Sequence, residues 1–385
     1  MKILLASNSY PTPDNPLQAF IGVLARELVR QGHEVTVIAP CMVLSCLKHG
    51  VKLDRKHYFD EFEHKGNTLR VEVYRPRIYA PGEGHFLKLV SWICQKRISS
   101  VALRIGNNFD VAYAHFWSSA IHLKDYVQKT RIPLIVACGE DIINIPYLRS
   151  EVNVKAISKL TRGVICVSSK NKGESISAGL TEENKCVVLP NAVDAAEFKK
   201  LDKKEMRREL NLPQNSFIVA FLGRFYERKG PGRVSEAIQM CKDSNIKAIY
   251  IGKNSSGETF HPLGNEALFL GSLQHSDVVR YLNASDVFVL PSLAEGCSNA
   301  IVEAMACGLP IISSDLPFNY DILNAENSIM VDPMNVRQIA EAIKLIRNNS
   351  EKCAAMSDAA LRGAEELTIE KRAEKIVDFI ERKIY

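Results

Sequence analysis

Short apolar runs alternate with amphipathic stretches along this chain, in two successive series. In the first, Lys2–Ser7 reads as a buried strand and Phe20–Gln31 as an amphipathic helix. Gly32-His33-Glu34 then turns into a strand at Val35–Ala39. Further strands are expected at Thr68–Tyr74, Val111–Ala114, Leu134–Ala137 and Gly163–Ser168. A second series follows the hinge-like segment Val188-Leu189-Pro190-Asn191-Ala192-Val193-Asp194. Its strands are expected at Phe217–Leu222, Lys247–Ile251, Ala267–Leu270, Val287–Leu290 and Pro310–Ser313, with a closing helix near Ile369–Lys383. Strands that alternate with helices point to parallel, doubly wound sheets of the α/β class. A chain of 385 residues with 46% hydrophobic content is long enough for two such domains. The expected division is 1–195, with the closing helix (about 369–385) packing back on it, and 196–368.

Composition narrows the partners. No run of about 18 apolar residues occurs, so no transmembrane helix is expected. Met1-Lys2-Ile3-Leu4-Leu5-Ala6 is too short for a signal peptide and reads as the first strand. Ten cysteines lie scattered without a C-x-x-C pair, which argues against a zinc site or disulfide framework and for a reducing cytoplasm. Residues 1–190 hold 25 Lys and Arg against 17 Asp and Glu, and the remainder 24 against 27. That asymmetry is too mild, and too poor in stacking aromatics, for nucleic-acid binding. A membrane surface or an anionic, lipid-linked acceptor suits the basic half, as does a merely solvated face. Cys41–Arg104 is the least regular stretch. Within it, Phe86-Leu87-Lys88-Leu89-Val90-Ser91-Trp92-Ile93 suits either an interfacial amphipathic helix or one packed on its own sheet.

The second series carries the chemistry. Strand Val287–Leu290 runs into Pro291-Ser292-Leu293-Ala294-Glu295-Gly296-Cys297-Ser298-Asn299 and then a short helix containing Glu303. Seven residues separate Glu295 from Glu303. Ser298 or Asn299 is placed to cap the helix and Gly308 to end it. A helix N-terminus seats phosphate or hydroxyl groups, and carboxylates bind pairs of sugar hydroxyls. Taken alone, the spacing is better read as two ordinary surface glutamates beside a helix. Upstream, Gly223-Arg224-Phe225-Tyr226-Glu227-Arg228-Lys229-Gly230 follows the first strand of this series. Taken alone, Arg224 and Lys229 read as basic loop residues of the kind that are usually just solvated.

Together these segments closely resemble the family 4 retaining glycosyltransferases. The resemblance implies the GT-B fold, two Rossmann-like doubly wound parallel-sheet domains facing a cleft, with ligands at the C-terminal ends of the strands. It implies a metal-independent hexose transfer from a nucleoside diphosphate sugar, a UDP-sugar by default, to a hydroxyl of a glycan or lipid-linked glycan. No cofactor or metal is expected. Arg224 and Lys229 take the diphosphate-stabilising positions, Glu295 contacts the donor sugar, and Glu303 holds the ribose hydroxyls. Backbone N–H groups of Gly296, Cys297, Ser298 and Asn299 face the sugar or diphosphate. Gly223, Gly252 and the Gly271-Ser272-Leu273 turn line the nucleotide, and Asn191 and Asp194 match the interdomain linker. The departing diphosphate takes the acceptor proton on the face it leaves.

The first half departs from the family twice. Its first loop, Pro16-Leu17-Gln18-Ala19-Phe20, lacks the usual glycines, so Gln18 is the candidate donor of hydrogen bonds there. In Val136-Ala137-Cys138-Gly139-Glu140-Asp141, Cys138 stands where many relatives have histidine. Glu140 or Asp141 is then a candidate for the acceptor, with Asp141 equally suited to capping a helix. His115, at the end of a strand, is a candidate cleft residue or a structural histidine. Two other readings remain at this level: a nucleotide-sugar 2-epimerase of the same fold, and a non-catalytic sugar-nucleotide- or glycan-binding partner of an active transferase.

Overall fold

The computed structural model describes all residues except 13–17, 49, 81–86, 144–150 and 255–256, and the backbone alone at 87–88 and 151–152. Pro16 and Leu17 of the first loop and Phe86 of the expected surface helix thus lie outside the described residues. The chain divides into two compact units, Met1–Leu189 with Arg372–Tyr385, and Pro190–Lys371.

The first unit contains β1 (Lys2–Ala6), β2 (Glu34–Ile38), β3 (Cys41–Met42), β4 (His57–His64), β5 (Asn67–Tyr74), β6 (Arg77–Ile78), β7 (Val111–His115), β8 (Leu134–Cys138), β9 (Thr161–Cys166) and β10 (Cys186–Val188). Eight of them form one sheet in the order β10-β9-β8-β7-β1-β2-β5-β4, while β3 pairs with β6 separately. All pairs in the large sheet are parallel except β4 with β5. Its central strands are apolar because helices cover both faces: every residue of β7 and β8 is buried. The closing helix, Ile369–Ile384, belongs to this unit from Arg372 onward. Ala373, Ile376, Phe379 and Ile380 are buried, and a methyl group on Gly163 of β9 would meet the Phe379 ring at 2.8 Å.

Strand β4 was not expected. Its sequence, His-Tyr-Phe-Asp-Glu-Phe-Glu-His, alternates exposed and half-buried residues because it sits at the sheet edge with one face in water. Lys65 (φ 48°) and Gly66 (φ 78°) join it to β5. Two left-handed residues in succession suit the right-handed twist of a two-residue hairpin. The short strands β3, β6, β10 and β16 also fall outside the expected set, being two to four residues long. In the irregular stretch, helix Leu87–Ile105 buries Cys94, Ile98 and Ala102 on one face. Leu89 and Trp92 remain exposed, at 49% and 55%.

The second unit is a single six-stranded sheet of β11 (Phe217–Leu222), β12 (Ile246–Ile251), β13 (Ala267–Gly271), β14 (Val287–Leu290), β15 (Ile311–Ser314) and β16 (Ser328–Val331). The order β13-β12-β11-β14-β15-β16 is wholly parallel. Counted from β11 this is 3-2-1-4-5-6, the doubly wound arrangement that opens a crevice where the strand order reverses. That reversal lies between β11 and β14. β5-β2-β1-β7-β8-β9 repeats the pattern in the first unit, with its reversal between β1 and β7. Among the described residues no helix is long and apolar enough to cross a membrane.

Candidate functional site

The C-terminal ends of β11 and β14 carry the two segments singled out in the sequence, and the fold sets them side by side. After Leu222 the chain leaves the sheet at Gly223, whose N–H donates to the Ile251 carbonyl at 2.9 Å. Gly252, just after β12, donates to the Gly271 carbonyl at 2.7 Å. A Cβ on Gly252 would lie 1.9 Å from the Gly223 carbonyl oxygen, so only glycine allows these strand ends to approach. Ser272 Oγ donates to the Gly252 carbonyl at 3.2 Å, and Leu273, half-buried, follows in the same turn.

Among the described residues, several contacts tie the loop after β11 and the helix that follows it to the loop after β14. The Leu293 N–H donates to the Arg228 carbonyl at 2.8 Å. Arg233 Nη2 donates to the Pro291 carbonyl at 2.9 Å. Lys229 Nζ forms an ion pair with Glu295 Oε1, an oxygen that also accepts from Ser292 Oγ at 2.6 Å. Glu295 is buried and the Lys229 side chain only 16% exposed, so the pair sits in a poorly screened setting. Gly230 makes this possible: its left-handed φ of 78° reverses the chain just before Pro231 opens helix Pro231–Cys241. Arg224 is exposed, and its side chain has no hydrogen-bond or ionic partner among the described residues.

Glu303 lies on helix Asn299–Ala306. Ser298 occupies the cap position, but its side chain makes no capping bond. The first-turn N–H groups therefore keep their capacity for an incoming acceptor, in a loop where Gly296, Cys297 and Ser298 are buried and Asn299 half-buried. Asn191 Nδ2 steadies that loop by donating to the Cys297 carbonyl at 2.9 Å. The helix closes as expected at Gly308 (φ 74°), with bonds from Gly308 N to Met305 O (2.9 Å) and from Leu309 N to Ala304 O (3.0 Å).

One neighbour of Glu303 went unforeseen. His275, the first residue of helix His275–Asn283, places Nε2 3.5 Å from Glu303 Oε1 and Nδ1 3.0 Å from Glu197 Oε1. The Glu197 and Glu303 carboxylates push its pKa up to about 10, against burial. No motif signals this histidine, because its partners come from two distant segments.

In the first unit the candidates gather at the reversal between β1 and β7. Gln18 adopts the left-handed conformation (φ 59°) as the cap residue of helix Ala19–Arg30, the backbone shape a glycine would take freely. Its side-chain Oε1 accepts from Ser7 Oγ at 3.0 Å. His115 ends β7 between the rings of Phe20 and Phe116. Burial, reinforced by Arg372, lowers its pKa to about 3, so it is neutral, and Nδ1 has no partner among the described residues.

The next residue, Phe116, holds φ 74° and ψ 152°, a conformation rare outside glycine. This turn is braced from β8. The Phe116 N–H donates to the Ala137 carbonyl at 2.7 Å, and the Trp117 N–H to Glu140 Oε1 at 2.8 Å. Glu140 Oε2 accepts from the Gly139 N–H at 3.0 Å. The Glu140 carboxylate is thus occupied by backbone, and burial raises its pKa. Asp141 accepts from Lys170 Nζ through its carbonyl. The Cys138 thiol is fully buried, 3.5 Å from Ser175 Oγ, which also accepts from Trp117 Nε1 at 3.3 Å.

Comparison with known proteins extends over most of the chain. The family model "Glycosyltransferase Family 4" matches residues 18–197, and "Glycosyl transferases group 1" matches residues 202–362. A putative teichuronic acid biosynthesis glycosyltransferase, TuaC, of Bacillus subtilis (strain 168) is 28% identical over 89% of this chain and 88% of its own. The UDP-Gal:alpha-D-GlcNAc-diphosphoundecaprenol alpha-1,3-galactosyltransferase of Escherichia coli is 29% identical over 57% of this chain and 60% of its own. Among solved structures, sucrose-phosphate synthase of Thermosynechococcus elongatus superimposes with a TM-score of 0.78 at 18% identity, covering 99% of this chain and 98% of that one. Anabaena HepE in complex with UDP and glucose gives 0.75 at 20% identity, covering 99% and 100%.

Proposed function

Because this chain belongs to the family 4 glycosyltransferases of GT-B fold, we propose that it transfers a hexose from a nucleoside diphosphate sugar, foremost a UDP-sugar, to a hydroxyl of a glycan or lipid-linked glycan, retaining the anomeric configuration and using no metal. The observation that carries the donor half is the meeting of Lys229 with Glu295 at the reversal between β11 and β14. A cation there faces the position of a diphosphate seated over the strand ends, and the carboxylate beside it suits a hexose hydroxyl.

In this reading the bond from the sugar C1 to the diphosphate oxygen breaks while the acceptor oxygen bonds C1 from the same face. The acceptor proton passes to the departing diphosphate, so no protein nucleophile enters. Lys229 and Arg224 stabilise the charge as it builds, the task a metal ion performs elsewhere. Lys229 then shares or leaves Glu295, which frees that carboxylate for the sugar. Gly296, Cys297, Ser298 and Asn299 present N–H groups to sugar or phosphate, Glu303 takes the ribose hydroxyls, and Gly223, Gly252 and Leu273 flank the nucleotide. Gln18, His115 and Glu140 lie at the corresponding reversal of the first unit, which we assign to the acceptor side. Two relatives support a uridine donor: the E. coli enzyme is named for UDP-Gal, and HepE was solved with UDP and glucose. The same E. coli name supports a lipid-linked acceptor, and exposed Leu89 and Trp92 suit attachment of the first unit to the inner face of a membrane.

Thermal melts with UDP, GDP and ADP in the presence of EDTA test the donor site, since a ligand of the native state raises the melting temperature. UDP is expected to give the largest shift, undiminished by EDTA. Glu303→Ala is expected to abolish the shift, and Lys229→Ala to suppress turnover more than nucleotide affinity. Wild-type melts unmoved by all three nucleotides refute the donor assignment.

A further inference from the structure

We propose that His275 is a positioning residue: clamped between Glu197 and Glu303, it holds the Glu303 carboxylate in the orientation that receives the ribose hydroxyls of the donor. The inference rests on the assignment of Glu303 to the ribose made above. Both ring nitrogens are engaged, Nδ1 with Glu197 at 3.0 Å and Nε2 with Glu303 at 3.5 Å. Only the imidazolium donates at both positions. The two carboxylates keep the ring in that form at neutral pH. On its own helix, Asp277 and Arg280 face one another, 3.7 Å apart.

The clamp is built rather than incidental. The Asp194 carbonyl accepts from the Glu197 and Phe198 N–H groups at 3.1 and 2.8 Å, which fixes the turn that presents Glu197. Asn283, on the same helix as His275, pins the far side of that turn. Its Oδ1 accepts from the Leu201 N–H at 2.6 Å and its Nδ2 donates to the Lys199 carbonyl at 3.0 Å. Buried Phe198 packs its ring edge-on to the imidazole, with centroids 5.1 Å apart. The ring is thus held from three sides while Glu303 is the one partner near the donor loop. A carboxylate has about four acceptor positions, so an ion pair of His275 with Oε1 leaves Oε2 whole for a hydroxyl pair. If His275 served only to join surface segments, its removal would not distinguish the ribose form of a nucleotide from its dideoxy form.

Calorimetric titration of the full chain makes that distinction. Wild type, His275→Ala, His275→Gln, Glu197→Gln and Glu303→Ala are titrated with UDP, GDP and ADP, and with the 2′,3′-dideoxy form of each. Wild type is expected to prefer the ribose form of the nucleotide it binds, and Glu303→Ala to lose that preference. His275→Ala is expected to bind the ribose nucleotide about fivefold more weakly, the scale of one well-placed ion pair, and the dideoxy form as wild type does. His275→Gln and Glu197→Gln, which put a neutral hydrogen-bonding side chain in place of the charged one, are expected to lose less but with the same ribose dependence. Equal losses on both nucleotide forms, or no loss, in the His275 and Glu197 variants overturn the inference while the Glu303 assignment stands. A wild type that binds none of the nucleotides or ignores the ribose hydroxyls, or a Glu303→Ala variant that keeps the preference, overturns both.

Discussion

At the scale of single residues, the donor-side candidates are held by one another before any ligand arrives. Lys229 neutralises Glu295, and Ser292 shares the same carboxylate oxygen. Removing Lys229 leaves a carboxylate buried without its cation, which typically destabilises on the order of 3 kcal/mol. Urea unfolding is therefore expected to show a large loss for Lys229→Ala and a much smaller one for Lys229→Ala combined with Glu295→Gln. The non-additivity is the signature of a coupled pair, and additive losses would refute it. His275 has a folded pKa of about 10 against its ordinary 6.5. Its contribution to stability is full below pH 6.5 and disappears as pH rises through 10. The melting temperature of wild type is accordingly expected to fall across that window more steeply than that of His275→Gln.

At the scale of elements, ends matter more than middles. Helix Asn299–Ala306 opens without a side-chain cap but closes on a left-handed Gly308, where the Gly308 and Leu309 N–H groups satisfy two of its last carbonyls. The open end is the one we assign to the donor, and the closed end anchors it. Gly308→Ala requires the left-handed shape from a residue with a Cβ, and that Cβ would meet Leu361, Lys200 and Ser357 at 3.3 Å. A loss of about 1–2 kcal/mol in urea unfolding is expected. Phe116 makes the opposite use of strain: the turn after β7 keeps a bulky residue at positive φ because Ala137 and Glu140 bind its backbone. The glycine missing from the first loop has a similar answer, since Gln18 takes a left-handed shape with a side chain tethered to Ser7.

At the scale of the molecule, the first unit is assembled from both ends of the chain. Beyond Lys371 the closing helix buries Ala373, Ile376, Phe379 and Ile380, Arg372 donates to the Leu189 carbonyl at 2.7 Å, and Lys383 to the Asn184 carbonyl at 2.7 Å. Three large apolar side chains at about 2 kcal/mol each rival the net stability of a whole domain, roughly 5–15 kcal/mol. Truncation after Lys371 is expected to unfold Met1–Leu189, visible as rapid proteolysis within that segment. A truncated chain that resists protease there would show that the unit folds without its last helix.

Local pattern alone determined the strands that are buried on both faces, because an uninterrupted apolar run has few other uses. The resemblance to the family 4 glycosyltransferases, not local pattern, marked Gly223, Arg224, Lys229, Glu295 and Glu303 as one group, since their spacing alone fits ordinary surface residues. What local pattern left dark depends on water and on distance. Edge strand β4 shows a weak signal because half its side chains are solvated. His275 and Glu197 carry no motif, because their partners are set by the order of strands and by turns packed from elsewhere in the chain. Only the tertiary structure decided that β11 and β14 are neighbours across the reversal of the sheet. That adjacency, which brings Lys229 to Glu295, arises from burying both faces of a parallel sheet and from no property of either segment by itself.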